Sequence, residues 1–260
     1  KDLFDNAGLA HPPATWAELE AIIPRLRQLD ATQKIVRAAI ALGGSGKSVG
    51  RAADIVSLLM LQNGVEMVSD DRLDAKFGYE GEDSLAYYTN FANPGSPLYT
   101  WNDNSGSDFD AFAAGNVAMM IGYSADAARI KEKNPFLRFG MSPMLQSDLD
   151  APVNYPNYHA LTAAATGQNV GLAWDFIGTV TLNAAIASAY LAATERSPAL
   201  RELIDPATED VENGFFARQA LTAKSWRQID NIVVVVIPSE NVAGVMTLPS
   251  FQTASCTRKR

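Results

Sequence analysis

The feature that most constrains this chain is a strand-to-helix unit that occurs twice. Ile35-Val36-Arg37-Ala38-Ala39-Ile40 is short, apolar and β-branched at its start. It runs through a glycine-rich loop, Ala41 to Ser48, into a segment with apolar residues at helical spacing, Ile55, Leu58 and Leu59. Asn116 to Gly122 repeats the order, a second strand-like run feeding a helix over Ala125–Lys133. Strands alternating with helices predict an α/β fold. A third strand is expected over Arg138–Ser142.

The helical segments have readable ends. Thr15-Trp16-Ala17-Glu18 is a capping box that starts a helix with Trp16, Leu19, Ile22, Ile23 and Leu26 on one face, and Pro24 is expected to kink it. Gly64 caps the helix that begins near Arg51. Glu82–Ala92 reads as a helix ended by Asn93-Pro94-Gly95. Asp108 is placed to cap a short helix running through Phe112. Residues 143–157 read as a loop, residues 168–180 and 183–193 as two helices, and Arg196-Ser197-Pro198 as a turn that restarts a helix. The tail reads as helical from Val211 to about Asp230, followed by a β-like run, Val233–Ile237. Trp16 and Trp174 lie on apolar helical faces and are expected in the core.

The loop ALGGSGKS raises the possibility of a phosphate cradle. Its end, Gly46-Lys47-Ser48, matches the pattern, but Ala41 stands where the first glycine makes the entry turn. Pro238-Ser239, not an acid, follows the strongest apolar run. The loop Asn102–Asp108 fails as a calcium site, because Trp101 and Phe112 would occupy ligand positions one and twelve. One cysteine, Cys256, and two distant histidines, His11 and His159, build no metal site and no internal disulfide. No apolar run reaches the roughly 18 residues that cross a membrane as a helix. A net charge of −8 argues against nucleic acid as a partner. The chain opens on Lys1-Asp2-Leu3-Phe4, which reads as the middle of a helix, so a preceding segment is expected.

Several stretches together resemble one family. Ala7-Gly8-Leu9 followed by Pro12-Pro13-Ala14-Thr15-Trp16-Ala17-Glu18-Leu19 is similar to an "AGL-PP-TW-EL" stretch of the sugar-type extracellular solute-binding proteins of ABC importers, the maltose-binding protein family. Asp110 to Gly122 resembles that family's "F-x-x-G-x-x-A-M" segment, Phe139 to Met144 its following strand, and Ala173-Trp174-Asp175-Phe176-Ile177 its "A-x-x-F-[IL]" helix. The matches run in order along nearly the whole chain.

The resemblance implies a periplasmic-binding-protein-like type II two-lobe α/β fold, here mostly the second lobe. Residues 1–147 would form its first part, 148–204 would return to the first lobe through the hinge, and 205–260 would complete the second lobe. It implies capture of a small solute, a sugar or oligosaccharide, between two lobes, and delivery to ABC permease subunits by a monomer. No catalytic residue and no cofactor are implied. The location implied is extracytoplasmic, periplasmic or as a membrane-anchored lipoprotein, with the targeting segment outside this chain.

By position the resemblance implies ligand contacts from Trp226 and Tyr123, from Ser45 and Lys47 in the glycine-rich loop, from Tyr155, Asn157 and Tyr158 near the hinge, and from Arg196. Trp101 is a further stacking candidate. Relatives carry a tryptophan near the position of Tyr123, and the tail after Trp226 departs from their pattern at Val233–Ile237. Two alternatives remain: a carbohydrate-active enzyme using two of Asp103, Asp108 and Asp110, and nucleotide binding through residues 41–48.

Overall fold

The computed structural model describes residues 1–69, 74–157, 161–194, 196–211 and 213–225. Helix α1 (Asp2–Asn6) and helix α2 (Trp16–Leu26) lead to strand β1 (Gln28–Leu29) and strand β2 (Ile35–Ile40). Helix α3 (Ala52–Gln62), the short α4 (Phe77–Glu80), α5 (Glu82–Asn90) and α6 (Asp108–Ala113) precede strand β3 (Val117–Met119). Then come α7 (Ser124–Lys133), α8 (Val170–Leu182), α9 (Ala184–Thr194), α10 (Arg201–Thr208) and α11 (Gly214–Leu221). The sheet order is β1-β2-β3. β1 pairs antiparallel with β2, and β2 pairs parallel with β3 through Ala38 and Val117.

The ends of α2 and α3 form as their sequences require. The Thr15 hydroxyl accepts from Glu18 N at 3.2 Å. The Glu18 carboxylate reaches back to Ala14 N at 2.8 Å, one residue before the position an ideal capping box uses. At the far end of α3, Gly64 takes φ +77°. Its N–H bonds Leu61 O, and the Val65 N–H bonds Met60 O. This crossed pair satisfies the last carbonyls, and Val65 packs against Met60 as that motif favours.

The core lies between α2, β2, α3 and α5. Leu19, Ile23 and Leu26 of α2 meet Ala38, Ala39 and Ile40 of β2, with Ile55, Leu59 and Phe91 closing the other side. Trp16, Tyr87 and Phe91 form an edge-to-face chain, with ring centroids 6.0 and 5.3 Å apart. β1 is too short to cover β2 beyond Arg37. Thr100, wholly buried, covers the rest: its hydroxyl accepts from Ala39 N at 2.8 Å and Ile40 N at 3.3 Å. Gln62, on the last turn of α3, holds the chain that leaves this core. Its amide nitrogen donates to Leu145 O and Val153 O, while its oxygen accepts from Trp16 Nε1 at 2.7 Å.

Five expectations need correction. No strand forms over residues 138–142, because none of that segment pairs with β3 or any other strand among the described residues. The second strand is shorter than Asn116–Gly122, ending at Met119. Ser107, not Asp108, caps α6; its hydroxyl accepts from Asp110 N. Trp174 is not in the core: it is 53% exposed, and α8 buries only Ile177. The described chain after α11 is not helical at residues 222–225, and Val233–Ile237 lies outside the described residues.

Candidate functional site

Parallel strands deliver the loops at their C-terminal ends to one edge of a sheet, where α/β proteins place their ligands. β2 and β3 do this here. Residues 41–51 leave β2, and residues 120–123 leave β3.

The first loop is held by one carboxylate. Asp103 accepts from Ser45 N at 2.7 Å, Ser45 Oγ at 2.8 Å and Ser48 Oγ at 2.8 Å. Bonds from Ser45 and Ser48, aided by Lys47, hold its pKa below the ordinary value of 3.8. The Tyr88 hydroxyl donates to Gly44 O at 2.6 Å from beneath. Gly43 adopts φ +96°, and a Cβ there would lie 2.6 Å from Ala92 N, so only glycine fits. Asp108, buried, accepts from Gly50 N at 3.1 Å.

These bonds decide against a phosphate cradle. The N–H groups of Ser45, Lys47, Ser48, Val49 and Gly50 all bond to the protein itself. α3 begins only at Ala52, and the Ser48 hydroxyl is committed to Asp103. The enzyme alternative loses its carboxylates in the same way. Asp103 is held by serines, Asp108 by a backbone amide, and Asp110 by Lys133. A general acid needs a raised pKa, whereas that of Asp103 is lowered. Among the described residues no group of three or more His, Cys, Asp or Glu side chains could hold a metal ion.

Tyr123 heads the second loop and is locked in place. Its N–H donates to Asp126 Oδ2 at 3.0 Å, and its hydroxyl to Asp54 Oδ2 at 3.2 Å. The Arg51 guanidinium lies 4.8 Å from its ring centroid and reaches Asp126 at 3.5 Å. Burial first, then the Asp54 carboxylate, push the Tyr123 hydroxyl pKa far above its ordinary range; Arg51 opposes this and Tyr155 adds to it. Tyr155 thus lies within electrostatic reach of Tyr123, on the segment that Gln62 anchors at Val153.

The nine expected contact residues therefore divide. Ser45 and Lys47 share one exposed loop, and Tyr123 and Tyr155 share the adjacent cluster. Asn157 is exposed two residues beyond Tyr155, and Arg196 is exposed in the connection between α9 and α10. Trp101 is buried beneath the first loop, 3% exposed, and its Nε1 has no partner among the described residues. Trp226 and Tyr158 lie outside the described residues. Arg51, Asp54 and Asp126 were not singled out from sequence. Their partners sit about 70 residues away, and no local pattern announces such a pairing.

A family model described as bacterial extracellular solute-binding protein matches residues 1–215. No curated protein sequence matches the chain. Among solved structures, an ABC transporter solute-binding protein from Thermotoga lettingae TMO, bound with alpha-D-tagatose, superposes with a TM-score of 0.60 at 18% identity, covering 86% of this chain and 57% of that one. The cyclic alpha-maltosyl-1,6-maltose binding protein from Arthrobacter globiformis gives 0.59 at 17% identity, covering 91% and 57%. An ABC substrate-binding protein from Listeria monocytogenes, in complex with cycloalternan, gives 0.57 at 18% identity, covering 86% and 56%. These likenesses establish the periplasmic-binding-protein fold. The chain spans less than three fifths of the length of each of these structures.

Proposed function

The chain belongs to the bacterial extracellular solute-binding protein family, and we propose that it captures a small solute, a sugar or oligosaccharide, for an ABC importer. One observation carries this reading. The loops leaving two parallel strands bring Ser45, Lys47 and Tyr123 to one sheet edge, and the Tyr123 ring there is fixed by bonds that involve no ligand. Such a surface has what a sugar needs, a rigid ring beside hydroxyl and ammonium donors. No bond is made or broken, so no residue is assigned a catalytic role.

The domain assignment follows the same reading. Residues 1–147 and 205–260 form the second lobe, and 148–204 return to the first. The bond from Met144 N to Gln219 supports the joining of the two outer segments. The exposed Leu172, Trp174 and Leu182 of α8 support a covering lobe over the middle one. Solute closes the lobes because it makes extra contacts in the closed state. The permease subunits then take delivery from a monomer outside the cytoplasm, periplasmic or lipid-anchored.

The test uses the longer protein that carries both lobes. A panel of mono- and oligosaccharides is screened by thermal melting, where a true ligand at a hundred times Kd adds about 2.7 kcal/mol. Tyr123→Ala is expected to weaken that ligand about tenfold or more, and Tyr123→Phe, which keeps the ring, by much less. A panel that shifts nothing, or a ligand indifferent to Tyr123→Ala, defeats the reading.

A further inference from the structure

Beside the glycine-rich loop, a groove of about 590 Å³ runs between α3 and α5. That volume is in the range of small-molecule sites. Its walls are apolar: Ala53, Val56 and Met60 from α3, Leu85 and Tyr88 from α5, and Met67 beneath. Met60 and Met67 are buried, while Ala53 and Leu85 stand exposed at the rim. Ala53 and Met60 are separated by two helical turns, so the groove is about 10 Å long. Ser57 and Thr89 also line it, but their hydroxyls donate to Ala53 O and Ala86 O of their own helices, and the polar end is where Gly44, Ser45 and Asp103 line it.

That end selects the occupant. Asp103 uses three acceptor positions on Ser45 and Ser48, and a carboxylate has about four, so one remains for a ligand donor. An anionic head group, such as that of a fatty acid, is repelled by Asp103. A cationic head is not required, because Lys47 already offsets that charge. A neutral hydroxyl fits. We propose that this groove takes the apolar substituent of the captured solute, which is therefore an amphipathic glycoside whose sugar hydroxyl meets Asp103 and Ser45 while its aglycone lies along α3. This rests on the solute-capture reading above and narrows its ligand class.

The experiment uses the chain with ¹³C-methyl-labelled methionine and n-octyl β-D-glucopyranoside below its micelle-forming concentration. The Met60 and Met67 methyl signals are expected to shift saturably while those of Met141 and Met144 stay. Methyl β-D-glucopyranoside should bind at least about tenfold more weakly, since burial of a methylene chain drives the difference. Leu85→Glu and Ala53→Phe alter exposed helix positions, so folding is retained; each should weaken octyl glucoside about fivefold or more. Unmoved Met60 and Met67 signals overturn the groove, even when sugars bind the longer protein. Equal or tighter binding of sodium octanoate or octyltrimethylammonium overturns the polyol head. Shifts of Met60 and Met67 in a protein whose longer form no saccharide stabilises overturn both the single spanning ligand and solute capture itself.

Discussion

Helices α3 and α8 are both apolar, yet α3 buries Ile55, Leu58, Leu59 and Met60 and α8 buries Ile177 alone. Nothing in their composition accounts for the difference. α3 follows a strand and is pinned to it by the loop that Asp103 holds, so it is delivered onto the sheet. Among the described residues no strand leads directly into α8, and its Leu172, Trp174 and Leu182 are exposed. A helix gains its stability in a protein from the surface it covers, more than from its own propensity. The pair thus separates a finished, covered region from one whose apolar residues are left open.

The sharpest way to break this contrast is truncation on each helix. Leu59→Ala, at a site 2% exposed, is expected to cost about 2–5 kcal/mol. Leu172→Ala, at a site 64% exposed, should stay within about 0.5 kcal/mol in denaturant unfolding. Comparable losses at the two sites would show that α8 is packed in solution.

Thr100→Val probes the finished region more finely. Shape is kept while the buried acceptor for Ala39 and Ile40 is removed, so a loss of about 1–3 kcal/mol is expected. A neutral result would mean those amides find another partner.

The open region is sharpened by adding the proposed first lobe. The part of the emission that Trp174→Phe removes should be readily quenched by acrylamide in this chain and less so in the longer protein with both lobes. Equal quenching in the two forms would sink the proposed lobe contact.

The smallest effect is on acid. Asp103 has a lowered pKa in the folded state, so its stabilising effect is present above 3.8 and lost as pH falls through the lower, folded value. Hydrogen exchange of the Ser45 amide should therefore be protected at pH 6 and should lose protection, relative to α3 amides, only below about pH 4. Loss of protection already between pH 6 and 5 would contradict the serine bonds.

Much of the fold was legible because its signals are local. Thr15 and Gly64 mark the ends of α2 and α3, and the spacing of Leu19, Ile23 and Leu26 gives the buried face. The strand expected at residues 138–142 failed because a strand exists only where a partner accepts its hydrogen bonds, and sequence does not state the partner. Trp174 failed for the same reason on a larger scale: periodicity says which face is apolar, never what covers it. At the site, the glycine-rich loop and Tyr123 could be found from residue order. The Arg51–Asp126 and Tyr123–Asp54 ties could not, since they join positions far apart in the chain.

The parallel pairing of Ala38 with Val117 has a consequence during synthesis. The two residues are about 80 apart, so closing that loop costs roughly 4 kcal/mol before any bond between the strands forms. On a ribosome adding about 5–20 residues per second, Ile35–Ile40 waits roughly 4–16 s for its partner to appear. β1, only a few residues upstream, can shield one edge as far as Arg37 at once. The opposite edge stays open through that interval, a bare template for any passing strand. The nascent chain is then most vulnerable to mispairing at the same strand that will later present the glycine-rich loop.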